Sequence, residues 1–233
     1  MNGLLVRVGI DSTSGGWNAP VDPRTGRFVY VPIPEEPLLV RKGLFQDYDE
    51  VIPALQDFGI QLPGHLHGQP MHLDPDFEYL TFGDRHPRDI PLRSLHPGDF
   101  LVFYAGMRSI HPEDRNLVYA IIGFYEVEEV LSVASVPPDR WIENAHSRRN
   151  GNPRDTIVRA RAGHSGRLRR CLPIGEYRWG AYRVRTDLLA SWGGLTVRDG
   201  YLQRSGKLPA FRDPERFLAW LASFGIPREQ MNF

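Results

Sequence analysis

The chain has 233 residues, with 28 Lys and Arg against 28 Asp and Glu, 41% apolar residues and 24% charged ones. That length supports a sizeable core, and the composition excludes a disordered or fibrous chain. The lone cysteine, Cys171, excludes an internal disulfide and a Cys-rich zinc site, and no apolar stretch approaches the ~18 residues a membrane span needs.

Leu4 to Ile10 reads as a strand that ends in the polar, Gly-bearing turn Asp11-Ser-Thr-Ser-Gly-Gly16. Its opening Leu4-Leu5-Val6 run is cut by Arg7, so no secretory core follows and a soluble, cytoplasmic protein is expected. Arg27 to Ile33 reads as a second strand, stopped by Pro32 and Pro34. Val51, Leu55 and Phe58 share helical spacing after the acidic start Asp47, Asp49 and Glu50. Pro53 puts the helix start near itself, and Gly59 ends the run. From Gly59 to Pro97 the chain is rich in Pro, His, Asp and Gly. A loop that long is either functional or conceals short elements.

The clearest core follows. Phe100 to Tyr104 is apolar on both faces and reads as a central strand. Val118 to Val133 is a second long run whose alternation from Tyr125 predicts one face turning to solvent. Pro137-Pro138 breaks it. Arg178 to Arg185 reads as a further strand. Asp213-Pro214-Glu215 is a helix start, with a cap residue, Pro at the first position and an acid at the positive dipole end. Phe217, Leu218, Trp220, Leu221 and Phe224 give that helix, spanning 213–224, an apolar face ended by Gly225 and Pro227. These elements predict an α+β fold dominated by β-structure, with residues 1–233 forming one domain.

Charge is unevenly spread. Residues 1–139 carry 10 basic and 20 acidic side chains, whereas residues 140–185, a basic elaboration, carry 12 basic and 3 acidic ones. The basic stretch holds Arg148, Arg149, Arg154, Arg159, Arg161, Arg167, Arg169 and Arg170, followed by Tyr177-Arg178-Trp179. Arginines suit bidentate phosphate contacts and interleaved aromatics suit base stacking, so Arg148, Arg149, Arg169 and Arg170 are candidate phosphate contacts. The rival reading is pairing with the acidic N-terminal portion of the same chain.

The densest polar cluster is His65, His67, His72, Asp74, Asp76 and Asp84. Imidazoles and carboxylates at alternate positions of an extended segment share a face and suit a divalent metal. His72, Asp74 and Asp76 are therefore the metal and catalytic candidates. The competing reading is an Asp-Pro-Asp turn with locally bonded histidines. The 11–16 turn offers backbone amides to an anion, or is simply a turn. It lacks the lysine of a P-loop and the spacing of a dinucleotide fingerprint. Cys171, beside Arg170, is either an activated thiol or an inert packing residue. No nucleophile elbow and no cofactor fingerprint is present.

Leu95-His-Pro-Gly-Asp-Phe-Leu-Val-Phe-Tyr-Ala-Gly106 and Val118-Tyr-Ala-Ile-Ile-Gly-Phe-Tyr-Glu-Val127 resemble the heart of PUA-like barrels of the EVE and ASCH type. That resemblance implies a partly open β-barrel within about 3–135, flanked by helices and long loops, that binds RNA or modified DNA bases. A wider set of pieces resembles the bacterial and phage family of nucleotide modification associated domain 3 proteins. They are Arg7-Val-Gly-Ile-Asp11 with Gly15-Gly16, Phe28-Val-Tyr-Val-Pro-Ile-Pro34, His72-Leu-Asp-Pro-Asp-Phe77 with Gly83-Asp84, and Phe103-Tyr-Ala-Gly106. The family resemblance implies a setting in DNA base modification, with DNA, nucleotides or other modification-system proteins as partners.

Two functions follow as expectations. The first is recognition of a modified or unmodified base in a pocket. Trp17, Tyr104 and Trp179 would form its walls, Asp11, Ser14, Gly15, Gly16 and Arg108 would make polar contacts, and arginines would hold phosphates. The second is an enzyme, a transferase or hydrolase, acting on a nucleotide or DNA base through the loop 65–84, with Asp74 or Asp76 as general base or metal ligand.

Overall fold

The computed structural model describes residues 1–203 and 208–233. β1 (Gly3–Arg7) is buried on both faces until Arg7, where the chain turns at Gly9. β2 (Pro20–Asp22) and β3 (Arg27–Phe28) form a hairpin, and β4 (Ile33–Pro34) follows separately. The strand expected over Arg27 to Ile33 is thus split, because Pro32 has no N–H to continue a ladder. α1 (Ile52–Gln56) carries Pro53 in its first turn. It is preceded by a 3₁₀ turn at Tyr48–Val51, where Asp47 and Glu50 form a reciprocal capping box.

The long stretch after Gly59 conceals four short elements: a 3₁₀ turn at Gly64–Leu66, β5 (Met71–His72), β6 (Thr81–Asp84) and α2 (Ile90–Arg93). β7 (Phe100–Ser109) and β8 (Leu117–Ser132) then form the central antiparallel pair. After the break at Pro137 come α3 (Ala145–Arg148), β9 (Thr156–Ala160), β10 (Gly166–Pro173), β11 (Gly175–Arg178), β12 (Ala181–Val184) and α4 (Thr186–Ser191). The strand expected over Arg178 to Arg185 begins inside a turn, since Trp179 and Gly180 both have positive φ between β11 and β12. α5 (Pro214–Ala222) starts where its cap residue places it: the Asp213 side chain accepts from the Arg216 N–H at 3.1 Å. β13 (Arg228–Glu229) closes the series.

Nine of the described strands share one mixed sheet. β1 runs parallel to the first half of β7 and β2 parallel to its far end. β8 is long enough to take β10 beside Ala120 to Phe124 and β9 beside Val127 to Ser132, while β6 adds to β9 and β13 to β10. The fold is mixed and β-dominated, and the described strands close no barrel. The β2–β3 turn nonetheless reaches β10, where the Cys171 N–H donates to the Gly26 carbonyl at 2.8 Å.

Because successive side chains of a strand point to opposite faces, the continuous apolar run of β7 feeds two cores. Leu101, Phe103 and Ala105 enter one layer with Leu4, Val6, Phe77 and Tyr125. Phe100, Val102 and Tyr104 enter the other with Leu5, Trp192, Phe211 and Phe217. In the first layer Phe77 meets Tyr30, Phe103 and Tyr125 edge-on at centroid distances of 5.3, 5.9 and 5.7 Å. Gly123 of β8 permits this, since a Cβ there would lie 2.4 Å from the Phe77 ring. In the second layer Trp192 stands edge-on to Phe217 at 5.2 Å, so α4 and α5 are tied together by aromatic contact.

Candidate active site

A cleft of about 540 Å³ opens beyond the end of β1, between Arg7 to Gly9, the segment Ile33 to Glu35, and β6. That volume is within the range of small-molecule sites. Val6, Val8, Ile33, Phe82 and Leu208 give it apolar wall, and Arg7, Arg85 and Arg88 line it with positive charge. Arg7 is held by Asp11 (Nη2 to Oδ2, 3.0 Å) and Arg88 by Asp84 (2.8 Å). His72, Asp74 and His146 also line it, with Glu35 beside them.

Strand pairing brings the acidic and imidazole groups together. β4 pairs with β5 so that Ile33 lies opposite His72, which puts Glu35 next to the His72 ring. The Glu35 carboxylate and His72 Nδ1 are 2.6 Å apart. β6 pairs with β9, which brings Asp155 alongside the segment after Asp74. His146 on α3 contacts Asp155 through Nδ1 at 2.9 Å. α3 is started by Asn144, whose side-chain oxygen accepts from the His146 N–H while its amide donates to Asp74 Oδ1 (3.2 Å) and Thr81 Oγ1 (3.1 Å). Gly83 N–H donates to both oxygens of Asp74, at 2.9 and 3.1 Å.

The result is a closed circuit of buried charge. Asp74 Oδ2 lies 3.7 Å from His72 Nε2 and 3.4 Å from His146 Nε2, and the two rings sit 5.0 Å apart between centroids. At the back, Arg149 reaches Asp155 at 3.1 Å and Glu35 at 3.4 Å. Burial pushes the Glu35 carboxyl up, but the His72 bond and the His72 and Arg149 charges outweigh it and hold the group at about 2. Asp155 is likewise at about 2, where its bonds from His146, the His86 N–H and Arg149 overcome burial. The imidazoles split. Burial drives His72 below its usual value despite Glu35, whereas the Asp155 bond and the nearby Asp74 carboxylate lift His146 above it despite equal burial.

Of the residues singled out from sequence, His72, Asp74, Asp84 and Tyr104 meet at this cleft. The Tyr104 hydroxyl donates to the Leu202 carbonyl at 2.6 Å. Asp11, Ser14, Gly15, Gly16, Trp17, Arg108 and Trp179 are not among the lining residues. Asp11 Oδ1 accepts from the Thr13 and Ser14 N–H groups, so it closes its own turn and orients Arg7. His65 Nε2 meets the Gly15 carbonyl at 2.9 Å and His67 pairs with Asp49. Trp17 packs against the first core, Arg108 donates to the Arg115 carbonyl, and Trp179 stands exposed on the β11–β12 turn.

Asp76 does not face the cleft. It is fully buried: Oδ1 accepts from the Glu78 and Tyr79 N–H groups and the Asn232 amide, and Oδ2 takes Arg148. Arg148 and Arg149, expected at phosphates, are 4% and 3% exposed and spend their charge on Asp76, Glu35 and Asp155. Arg159 and Arg161 pair with Glu129, Glu143 and Glu126. Internal pairing with the acidic portion is therefore where much of the basic stretch goes. Arg169 and Arg170 remain exposed on β10. Cys171 is buried, and burial pushes its thiol up to about 12, so it is a packing residue.

Sequence reasoning missed His146, Glu35, Asp155, Arg85 and Arg88. The one available signal was a histidine inside the arginine-rich stretch, 72 residues after an Asp that already had a His two positions before it.

Fold and site together define a β-rich protein with a positively lined cleft floored by paired imidazoles and carboxylates. The sequence model of nucleotide modification associated domain 3 matches residues 2–199, and the chain belongs to that family. No curated protein and no solved structure matches the chain. No described helix is long and apolar enough to cross a membrane.

Proposed function

We propose that this protein serves a DNA base modification system by taking one nucleotide unit, free or lifted out of DNA, into the cleft beside Arg7, Arg85 and Arg88. The observation that carries the reading is the pairing of chemistries in one cavity: guanidiniums suited to phosphate, an apolar wall suited to a base, and polar groups at the floor suited to a base edge or sugar. Membership of the family supplies the nucleotide setting. Arg169 and Arg170 are the surviving candidates for contact with a longer strand. The Cys171–Gly26 contact favours a PUA-like reading of the curled sheet, and the two layers built on one β7–β8 pair favour a single domain.

One observation favours catalysis over recognition alone. The side chains of His72, Asp74 and His146 are largely covered yet line the cavity, an arrangement that costs desolvation and that a base reader does not need. In this reading Asp74 and the histidines handle protons or a metal at the bound nucleotide, in place of the Asp76 role expected from sequence.

The test is equilibrium binding of mononucleotides and of modified and unmodified oligonucleotides over a salt series. Salt-sensitive binding that weakens at least tenfold in Arg85→Glu with Arg88→Glu is expected. Unchanged binding by that variant overturns the assignment of the cleft.

A further inference from the structure

We propose that His72, Asp74 and His146 form a site for one divalent first-row transition metal ion, its remaining coordination positions open to the cleft.

Three observations converge. First, each imidazole is anchored by a carboxylate on the same ring atom, Glu35 on His72 Nδ1 and Asp155 on His146 Nδ1, at 2.6 and 2.9 Å. At His72 the carboxylate holds the proton on Nδ1 and leaves Nε2 as a lone-pair donor, the arrangement that orients histidine ligands around metals; His146 Nδ1 is shared between Asp155 and the Arg149 guanidinium at 3.0 Å, which fixes its ring with Nε2 toward Asp74. Second, both Nε2 atoms face the same oxygen, Asp74 Oδ2, at 3.7 and 3.4 Å. Those gaps are too long for good N–H···O bonds, which fall near 2.7–3.2 Å. They suit ligand atoms around a shared cation, since bonds of about 2.0–2.2 Å at tetrahedral angles place ligands ~3.4 Å apart. Ligating atoms of the three residues all lie within 4.8 Å of one another. Third, carboxylates are concentrated here. Glu35, Asp74 and Asp155 cluster around the two rings, and among the described residues Arg149 is the one guanidinium bonded to any of the three. A cation held among them meets that concentration of acid directly.

The donor set selects the ion. Two imidazoles and one carboxylate favour Fe²⁺, Co²⁺ or Zn²⁺ over the oxygen-seeking Mg²⁺ and Ca²⁺. Asp76, four bonds committed elsewhere, takes no part. The assignment is independent of what occupies the rest of the cleft, because metal binding is measured without any nucleotide.

The experiment uses the full chain, stripped with a chelator and titrated with Zn²⁺ by calorimetry, with Co²⁺ by visible absorption, and with Mg²⁺ as a control. One equivalent of Zn²⁺ with a raised Tm, a Co²⁺ d–d spectrum, and no comparable response to Mg²⁺ are expected. His72→Gln and Asp74→Asn each abolish the Co²⁺ spectrum, and Glu35→Gln, which touches no ion, weakens Zn²⁺ affinity about 10–100-fold. Circular dichroism of each variant confirms folding, and the wild-type titration decides the question if one of them unfolds. Absence of Zn²⁺ and Co²⁺ binding by the folded wild type overturns the proposal. Binding with an unaltered Co²⁺ spectrum in folded His72→Gln places the ion elsewhere and also overturns it.

Discussion

Arg148 and Asp76 repeat, inside the core, the link that His146 and Asp74 make at the cleft: the same two segments touch twice, two residues apart on each. The inner link is a fully desolvated ion pair, with Asp76 also accepting from Asn232. Removing one partner of such a pair strands the other charge. Arg148→Met is therefore expected to cost about 3–5 kcal/mol, read from the urea midpoint. Asp76→Asn should cost a similar amount. A change below about 1 kcal/mol in both would show that water reaches the pair.

Gly83 sits where β6 passes under the His146 ring. A Cβ there would lie 2.7 Å from His146 Cδ2 and 3.0 Å from the Thr156 carbonyl. Gly83→Ala is expected to destabilise by about 1–3 kcal/mol through overpacking and to displace the ring from Asp74. Thermal unfolding of that variant against Gly98→Ala, whose Cβ meets nothing but which has positive φ, separates crowding from backbone strain.

Cys171 is expected to be inert. Its thiol is raised to about 12, so near neutral pH it stays protonated and non-nucleophilic, and the thiolate gains ground only as pH approaches that value. Native protein should fail to react with a thiol reagent at pH 8 and react fully in about 6 M guanidinium. Rapid native labelling at pH 8 would contradict the burial.

The Arg85→Glu, Arg88→Glu variant should fold as the parent does. Both residues are exposed, and Arg88 contributes only the surface pair with Asp84. A stability change within about 0.5–1 kcal/mol is expected. Unfolding at neutral pH would mean the rim supports the fold instead of a ligand.

Phe217→Ala tests the second layer. The ring is fully buried against Trp192, Phe211 and Phe100, so its loss is expected to cost about 3–5 kcal/mol and to release α5. Near-ultraviolet circular dichroism from the Trp192 and Trp220 region should collapse with it.

What the sequence made legible was local. The two-faced run Phe100 to Tyr104, the Asp213 cap, the helix beginning at Pro53 and the His72-x-Asp74 spacing each depend on neighbours a few residues away. The site was only half legible, since Glu35, His146 and Asp155 reach it through pairings at separations a pattern of residues does not encode. The arginine-rich stretch misled for a related reason: composition reveals that charge is concentrated but not whether its partner is a phosphate or a carboxylate of the same chain. The split at Pro32 and the turn at Trp179-Gly180 were readable from backbone chemistry, and the apolar runs around them concealed both.

The bond from Asn232 to Asp76 also sets an order of events. The Asp76 carboxylate, in the turn that also carries Asp74, is bonded by an amide 156 residues downstream, and its ion-pair partner Arg148 arrives about midway. On a ribosome, where residues emerge in sequence, the cleft cannot reach its final shape while β5 and β6 are being made. The segment around Asn232 thus acts as a clasp on the turn that carries Asp74 and Asp76, and a cleft complete up to β9 still lacks it.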